Sequence, residues 1–196
     1  MRYMSNAPRV IGIYSPSPGS GKSTAANFLS ELGYIPVSFA TPLKRMVTSF
    51  LGCFGYSDLE VSGLLHHKEE IIPELGVSTR HLLQTLGTEW GRGCVHPDVW
   101  AKMWNQTVTP HLASNLHVVV DDVRFPNEAA AVLAVGGELW HITRPGRIWP
   151  DGHSSEGALK DHEYKARIVN DGSPADLRDR ILQIMQVYEY PMAVGA

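Results

Sequence analysis

Short apolar runs alternate with helical patterns toward both ends of the chain. Near the N-terminus, the run 10–14 predicts a buried strand, and residues 22–32 place apolar side chains at helical spacing up to Gly33. A second strand is predicted over 34–39. Toward the C-terminus the alternation returns, with strands predicted over 116–121, 138–143 and 167–169 and helices over 127–135 and 175–188. Strands separated by helices predict an α/β fold with a parallel sheet and right-handed crossovers.

The middle of the chain follows a different pattern. Residues 41–113 are predicted to be mostly helical, with two sets of side chains facing inward: Leu82, Leu83, Leu86 and Trp90, then Trp100, Met103, Trp104 and Val108. The predicted organisation is therefore one domain of residues 1–196. Its core spans 9–40 and 114–190, and a helical insertion spans 41–113. We expect a three-layer fold, in which helices flank a parallel sheet of about five strands.

Composition and charge exclude several classes of protein. The 196 residues are 43% hydrophobic and 19% charged, as in globular proteins, and a net charge of −3 gives no general affinity for nucleic acid polymers. No apolar run approaches the ~18 residues of a membrane helix, and residues 1–9 are polar, so no membrane partner is expected. Two cysteines and nine histidines stand outside the zinc-binding spacings. A cytoplasmic protein is predicted.

A loop rich in glycine and serine joins the first predicted strand to the first predicted helix. Residues 15–24 read SPSPGSGKST, which matches the phosphate-loop motif except that Pro16 stands at its first glycine. Glycines let backbone N–H groups turn toward an anion, and the helix N-terminus adds positive charge. We expect Lys22 to reach the β- and γ-phosphates and Ser23 to bind Mg²⁺. The predicted nucleotide site comprises Gly19, Ser20, Gly21, Lys22, Ser23 and Thr24.

The strand predicted over 116–121 ends at Asp121, and Asp122 and Arg124 follow it. In open α/β sheets, ligands bind at the carboxyl ends of the strands, so Asp122 and Arg124 are candidate catalytic residues. Asp122 is expected to orient the acceptor or a water on Mg²⁺, and Arg124 to stabilise charge on the transferring phosphoryl group. Asp121 is the weaker candidate for these roles. The chain has no Asn-Lys-x-Asp motif of the kind that GTPases use, so a kinase for a small acceptor is favoured.

Several longer motifs accompany the phosphate loop and span nearly the whole chain. They are FATPLK (39–44), RHLLQTLGTEWGR (80–92), DVRFPNE (122–128), HSSE (153–156) and NDGS (170–173). With these motifs, the sequence resembles the deoxynucleoside monophosphate kinases of tailed bacteriophages. The resemblance implies a P-loop kinase that transfers the γ-phosphoryl group of ATP to a deoxynucleoside monophosphate. A location in the host cytoplasm follows if the protein is phage-encoded.

The resemblance also implies roles for particular residues. Lys44 and Arg92 would meet the acceptor phosphate, and Gln84 and Thr88 would face the base or sugar. The remaining acceptor-site residues that it implies are Phe39, Trp100, Asp122 and Arg124, although a core role for Trp100 stays open. A lid is implied over about 144–160, with Arg147, His153, Ser155 and Glu156. Arg144, Asn170 and Gly172 would border ATP.

Alternatives stay open for the reaction and for the assembly. A kinase for another small acceptor, similar to dephospho-coenzyme A kinase, is one alternative, and a nucleotide-binding switch without an acceptor is another. A switch has no need of a second anion site, so that site separates the two classes. The implied small molecules are ATP, Mg²⁺ and a deoxynucleoside monophosphate. Both a monomer and a homodimer remain open.

Overall fold

Seven strands and seven α-helices make up the part of the chain that the computed structural model describes, which is residues 6–146, 159 and 162–189. In chain order the strands are Val10–Tyr14 (β1), Tyr34–Pro36 (β2), Ile71–Ile72 (β3), Val77–Ser78 (β4), His117–Val123 (β5), Glu138–Thr143 (β6) and Ala166–Val169 (β7). The helices are Lys22–Glu31 (α1), Thr41–Gly52 (α2), Asp58–His66 (α3), Thr79–Gln84 (α4), Val99–Ala113 (α5), Pro126–Ala134 (α6) and Pro174–Glu189 (α7).

A five-stranded sheet forms the centre of the fold, with strand order β2-β5-β1-β6-β7 and every neighbouring pair parallel. The predicted α/β class and parallel sheet are confirmed. The predicted strand over 34–39 is shorter than expected and ends at Pro36, although the N–H of Val37 still donates to the Val119 carbonyl of β5 at 2.9 Å. Within the described residues, no helix is both long and apolar enough to span a bilayer.

Helices cover both faces of the sheet. On one face, α1 and α7 pack against side chains of β1, β5, β6 and β7, and the buried core there includes Ile11, Ile13, Leu29, Val119, Trp140, Ile142 and Ile181. On the other face, Val132 of α6 lies close to Gly12 of β1. A Cβ at Gly12 would be 3.1 Å from a Val132 methyl group and 3.0 Å from one of Leu139. The layers predicted from the alternation of strands and helices are therefore present.

The chain divides into two compact units. The first comprises residues 1–38 and 105–196 and contains the five-stranded sheet, whereas the second comprises residues 39–104. The second unit has its own buried cluster, formed by Val47, Leu51, Val61, Leu64 and Ile72. It also contains a small hairpin of β3 and β4, which the prediction of a mostly helical insertion did not include. Pro73 and Gly76, whose φ is 65°, lie in the turn between the two strands and account for the break in the helical pattern.

A π-helical segment, Thr85–Val95, continues α4 and changes which side chains face inward. Because its hydrogen bonds run from residue i to i+5, side chains rotate away from the α-helical spacing used for the prediction. Gly87 and Gly91 are buried, while Trp90 is 43% exposed, so the inward position predicted for Trp90 is wrong. In α5, Trp100, Trp104 and Val108 are buried as predicted, but Met103 is 39% exposed and the inward position predicted for it is also wrong.

Replacing Gly91 by alanine is expected to lower the free energy of unfolding by about 1–3 kcal/mol. A Cβ at this position would lie 2.3 Å from Cζ2 of Trp100, which is buried and has little room to move. Each kcal/mol corresponds to a decrease in Tm of about 2–4 °C for a chain of this size.

Gly93→Ala is the matched control in the same segment, because the nearest atom to its Cβ would be the Thr88 carbonyl oxygen at 3.6 Å. Thermal unfolding of both variants should therefore show a lower Tm for Gly91→Ala alone. Equal Tm values would contradict the close contact between Gly91 and Trp100.

Candidate active site

A cavity of about 260 Å³ lies at the carboxyl end of β1, within the first unit. Its lining comes from the phosphate loop and from the residues that follow β6 and β7: Gly19, Ser20, Gly21, Lys22, Ser23, Thr24, Arg144, Asn170, Pro174 and Leu177. All six loop residues of the predicted nucleotide site thus line one cavity together with Arg144 and Asn170. Gly172 lies against the helix cap that follows, where a Cβ would be 2.4 Å from Oδ2 of Asp176.

The loop between β1 and α1 is held by its own short contacts. Ser15 Oγ donates to the Ser17 carbonyl at 3.1 Å, and Lys22 Nζ donates to the same carbonyl at 3.4 Å. Gly19 and Gly21 have φ values of 67° and 103°, in the left-handed region that glycine adopts without strain. The loop therefore turns sharply at two points and passes directly into α1, whose N-terminus contributes positive potential to the cavity.

Asn170 joins the end of β7 to the phosphate loop. Its Nδ2 donates to the Ser20 carbonyl at 2.9 Å, and its backbone N–H donates to Thr143 at the end of β6 at 2.7 Å. The residue is only 4% exposed, and a Cβ at Gly21 would be 2.4 Å from its Nδ2. A glycine at position 21 is thus required both by the positive φ and by the close approach of this amide. Asn170 fixes the direction of the loop backbone.

The loop hydroxyl Ser23 Oγ donates to Oδ2 of Asp121 at 2.7 Å. Sequence analysis ranked Asp122 above Asp121, but Asp121 is the carboxylate that lies at the phosphate loop. Val119, two residues before Asp121, packs in the core under α1 and α7, and Ser23 lies at the start of α1. The pairing of β5 with β1 is irregular between Val120 and Val123, where both aspartates lie. Oδ2 of Asp122 accepts a hydrogen bond from Ser38 Oγ instead.

Arg124 leaves the sheet just beyond β5, and its side chain is exposed. Within the described residues its guanidinium makes no ion pair. The Glu128 carboxylate, only 4% exposed, accepts hydrogen bonds from the backbone N–H groups of Arg124 and Phe125 at 2.8 and 3.1 Å. Glu128 therefore holds the backbone of this loop at the start of α6 and leaves the Arg124 side chain available to a ligand.

Polar and aromatic groups fix the ends of the neighbouring strands. At the start of α7, Ser173 donates from its N–H and its hydroxyl to Oδ2 of Asp176, each at 2.7 Å, and these bonds hold the pKa of Asp176 below its usual value.

Tyr14, the last residue of β1, stacks on His141 of β6 with ring centroids 5.5 Å apart. Burial, with a smaller contribution from nearby Arg167, lowers the pKa of His141.

The expected acceptor residues lie in the second unit. Lys44 is exposed on the first turns of α2, and Gln84 is the exposed last residue of α4. Thr88 and Arg92 are half-buried in the π-helical segment, where Nη1 of Arg92 donates to the Pro97 carbonyl at 3.2 Å. The wider turn of that segment means that Gln84 and Thr88 are not separated by the α-helical turn assumed for them.

Two aromatic residues expected in the acceptor site, Phe39 and Trp100, are buried in the second unit. Phe39 is 2% exposed, and its ring centroid lies 4.9 Å from that of Trp104. Trp100 is 1% exposed, and its Nε1 donates to the Gly87 carbonyl at 2.7 Å. Of the two roles left open for Trp100, the structure shows core packing. The expected lid residues Arg147, His153, Ser155 and Glu156 lie outside the described residues.

Two residues that line the cavity were not predicted from the sequence. Pro174 and Leu177 line it because α7 begins directly beside the phosphate loop, but a helical pattern alone does not reveal which helix end faces a ligand. The hydrogen bond of Asp121 to the loop was not predicted either, because the order of the strands is needed to show that β5 is adjacent to β1.

A phosphate loop on a parallel α/β sheet, with a carboxylate at the end of the adjacent strand, defines a P-loop nucleotide-binding protein. A family model described as deoxynucleotide monophosphate kinase matches residues 54–181. A protein of Acanthamoeba polyphaga mimivirus assigned as a deoxynucleotide monophosphate kinase is 33% identical over 178 residues, covering 84% of this chain and 90% of the relative. The chain belongs to the deoxynucleotide monophosphate kinase family, and the expectation of a kinase is confirmed.

Two further similarities accompany these matches. The deoxynucleotide monophosphate kinase of Escherichia phage RB69 is 27% identical over 154 residues, which cover 78% of this chain and 61% of that protein. Among solved structures, the chain is similar to dephospho-CoA kinase from Campylobacter jejuni. That similarity has 14% sequence identity and a TM-score of 0.46, and it covers 92% of this chain and 97% of the other.

Replacing Asn170 by alanine is expected to weaken ATP binding roughly tenfold, equivalent to about 1.4 kcal/mol. The Ser20 carbonyl would lose its buried donor, and the loop backbone would no longer be fixed for phosphate. Titration calorimetry with ATP measures the change.

Asp171→Asn provides a control at the next position, because it removes only an exposed ion pair with Arg180. If both variants bound ATP as tightly as the wild type, Asn170 would have no part in shaping the loop.

Proposed function

We propose that the protein transfers the γ-phosphoryl group of ATP to a deoxynucleoside 5′-monophosphate, giving the diphosphate and ADP. The carrying observation is the cavity at the phosphate loop, where Lys22 and the start of α1 lie beside the pair formed by Ser23 and Asp121. These groups combine positive charge for phosphates with oxygen ligands for a hard cation. Family membership supports a deoxynucleoside monophosphate as the acceptor.

The residues at the loop fit Mg²⁺. This ion prefers oxygen ligands, and it is usually bound by one or two protein groups together with substrate phosphates and water. Ser23 Oγ and Asp121 Oδ2, 2.7 Å apart, supply such oxygens, and we propose that they hold the ion directly or through water. When bound with ATP, Mg²⁺ neutralises charge on the β- and γ-phosphates. Within the described residues, no group of three or more His, Cys, Asp or Glu forms a separate metal site.

The chain's own cations would stabilise the transferring group. Lys22 lines the cavity at the start of α1, where its ammonium can follow the developing negative charge on the phosphates. Arg124 follows β5 at the same sheet edge, with an exposed guanidinium on a backbone fixed by Glu128. Asp122, held by Ser38, is proposed to orient the acceptor. Arg144 and Asn170 would border ATP, and the lid assigned to about 144–160 would exclude water.

The second unit is proposed to bind the acceptor. Lys44 and Arg92 would contact its phosphate, while Gln84 and Thr88 would contact its base or sugar. The exposed side chains of Lys44 and Gln84 and the partly exposed Arg92 support these roles. Phe39 and Trp100 would contribute by shaping the unit from within its core, since both are buried.

A coupled ADP-release assay tests the proposed function. The purified protein is offered ATP and Mg²⁺ with each common deoxynucleoside monophosphate, with the corresponding ribonucleotides, with dephospho-coenzyme A and with no acceptor. We expect turnover with at least one deoxynucleoside monophosphate, little ADP without acceptor, and no turnover for Lys22→Ala. Turnover with dephospho-coenzyme A alone, or ADP release that is independent of any acceptor, would refute the proposal.

Arg124→Ala and Arg124→Lys are both expected to lower kcat by on the order of a hundredfold or more, with substrate affinities within a few-fold of wild type. A guanidinium that meets the phosphoryl oxygens most tightly in the transition state raises kcat rather than affinity. Lysine cannot reproduce its planar, two-pronged contact.

Single-turnover rates and Tm are measured on the same two variants. Because the backbone contacts of Glu128 do not involve the Arg124 side chain, Tm should change little. A reduced Tm with an intact rate would remove Arg124 from the catalytic residues.

A further inference from the structure

Three nitrogen-bearing side chains gather where the π-helical segment meets α5. Arg92 Nη1 donates to the Pro97 carbonyl at 3.2 Å, His96 Nδ1 accepts from the backbone N–H of Asp98 at 2.9 Å, and Lys102 Nζ lies 3.1 Å from His96 Nε2. All of these residues belong to the second unit. The Pro97 carbonyl brings the Arg92 guanidinium to the same short loop that carries His96.

The proton on the His96 ring is fixed by its neighbour. Because Nδ1 accepts the Asp98 N–H, it carries no proton, so the ring proton lies on Nε2. The Lys102 ammonium can only donate as well. Two donors therefore approach to 3.1 Å, and within the described residues neither of them reaches an acceptor. The Asp98 carboxylate lies 4.0 Å from Nδ1, the other nitrogen of the ring.

Two donors that converge without an acceptor repel each other unless an anion accepts a hydrogen bond from both. An oxygen of a phosphate dianion would accept from both, and Arg92 beside them can donate to a second oxygen. His96 lies just before α5 and Lys102 lies near the start of this helix of 15 residues, whose N-terminus attracts negative charge. The arrangement thus has the charge and the donors of a phosphate site, and it is open to solvent, since the His96 side chain is 45% exposed.

We propose that His96 and Lys102, together with Arg92, bind the 5′-phosphate of the acceptor nucleotide. The proposal rests on the proposed function and adds two residues to it. His96 has two separable tasks in this arrangement: Nδ1 holds the Asp98 N–H, and Nε2 donates to the phosphate. Lys102 neutralises charge on the same oxygen. These tasks can be removed one at a time.

Four variants separate the tasks. His96→Asn places an acceptor near the position of Nδ1 and removes the donor at Nε2, whereas His96→Gln places a donor near Nε2 and removes the acceptor for Asp98. Lys102→Met keeps the apolar stem and removes the ammonium. Lys165→Met removes an exposed lysine of the first unit and serves as the charge control.

We expect His96→Asn and Lys102→Met to raise the acceptor KM by about tenfold or more, because each loses a charge-assisted contact. Their KM for ATP should stay within about threefold of wild type and of Lys165→Met, and His96→Gln should have a lower acceptor KM than His96→Asn. An acceptor KM within threefold of wild type for both His96→Asn and Lys102→Met would overturn the proposal. A larger effect of His96→Gln than of His96→Asn would assign His96 to loop structure alone and would also overturn it.

Equilibrium binding keeps this test separate from the proposed function. Calorimetry compares a deoxynucleoside monophosphate with the matching deoxynucleoside, which lacks the phosphate, on wild type and on Lys102→Met without ATP. We expect the phosphate to increase affinity for the wild type, and most of that increase to be lost in the variant. If the wild type turned over no acceptor but still showed this loss, the proposed reaction would fail while the phosphate site stood. An equal phosphate contribution in both proteins would overturn the site.

Discussion

The nucleotide cavity depends on one constraint, which is that the neighbouring strands of the sheet are parallel. Because β5, β1, β6 and β7 all run in the same direction, their carboxyl ends bring residues far apart in the chain around one loop. Asp121 reaches Ser23 from β5, and Asn170 reaches Ser20 from the end of β7, across 98 and 150 residues of sequence. If β5 or β7 ran antiparallel to its neighbour, its last residues would lie at the other end of the strands, away from the phosphate loop. The direction and pairing of the strands therefore also determine which residues meet at the phosphate loop.

Backbone polar groups around the loop are satisfied by buried side chains, and this satisfaction determines which groups remain for a ligand. The Asn170 amide donates a hydrogen bond to the Ser20 carbonyl, and the Glu128 carboxylate accepts hydrogen bonds from two backbone N–H groups just beyond β5. Unpaired, such buried groups would each cost about 1–3 kcal/mol. By contrast, the Arg124 guanidinium and the Ser20 hydroxyl have no hydrogen-bond partner within the described residues. The fixed backbone thus presents a small set of groups to a phosphate.

The sequence was sufficient for the features that depend on local pattern and not for those that depend on strand order. The bounds of β1 and β6 were predicted to the residue, because a buried strand next to a glycine-rich turn leaves a clear apolar run. The phosphate loop was found from its spacing. The hydrogen bond between Ser23 and Asp121 could not be predicted, since it depends on the strand order and on which sheet face α1 covers. Trp90 was misplaced because nothing in its local pattern distinguishes a π-helical turn from an α-helical one.

That π-helical segment has a consequence for the second unit. Its wider turn buries Gly87 and Gly91. Trp100 of α5 fills the space beside Gly91, and its Nε1 donates to the Gly87 carbonyl. Because the start of α5 packs against the π-helical segment, the short loop before α5 is fixed. This loop carries His96, and its Pro97 carbonyl accepts a hydrogen bond from Arg92. An α-helical turn in the same place would rotate a bulky side chain toward Trp100 and displace that loop. The packing of Trp100 against Gly91, together with its hydrogen bond to the Gly87 carbonyl, thereby determines where the cationic side chains of the second unit meet.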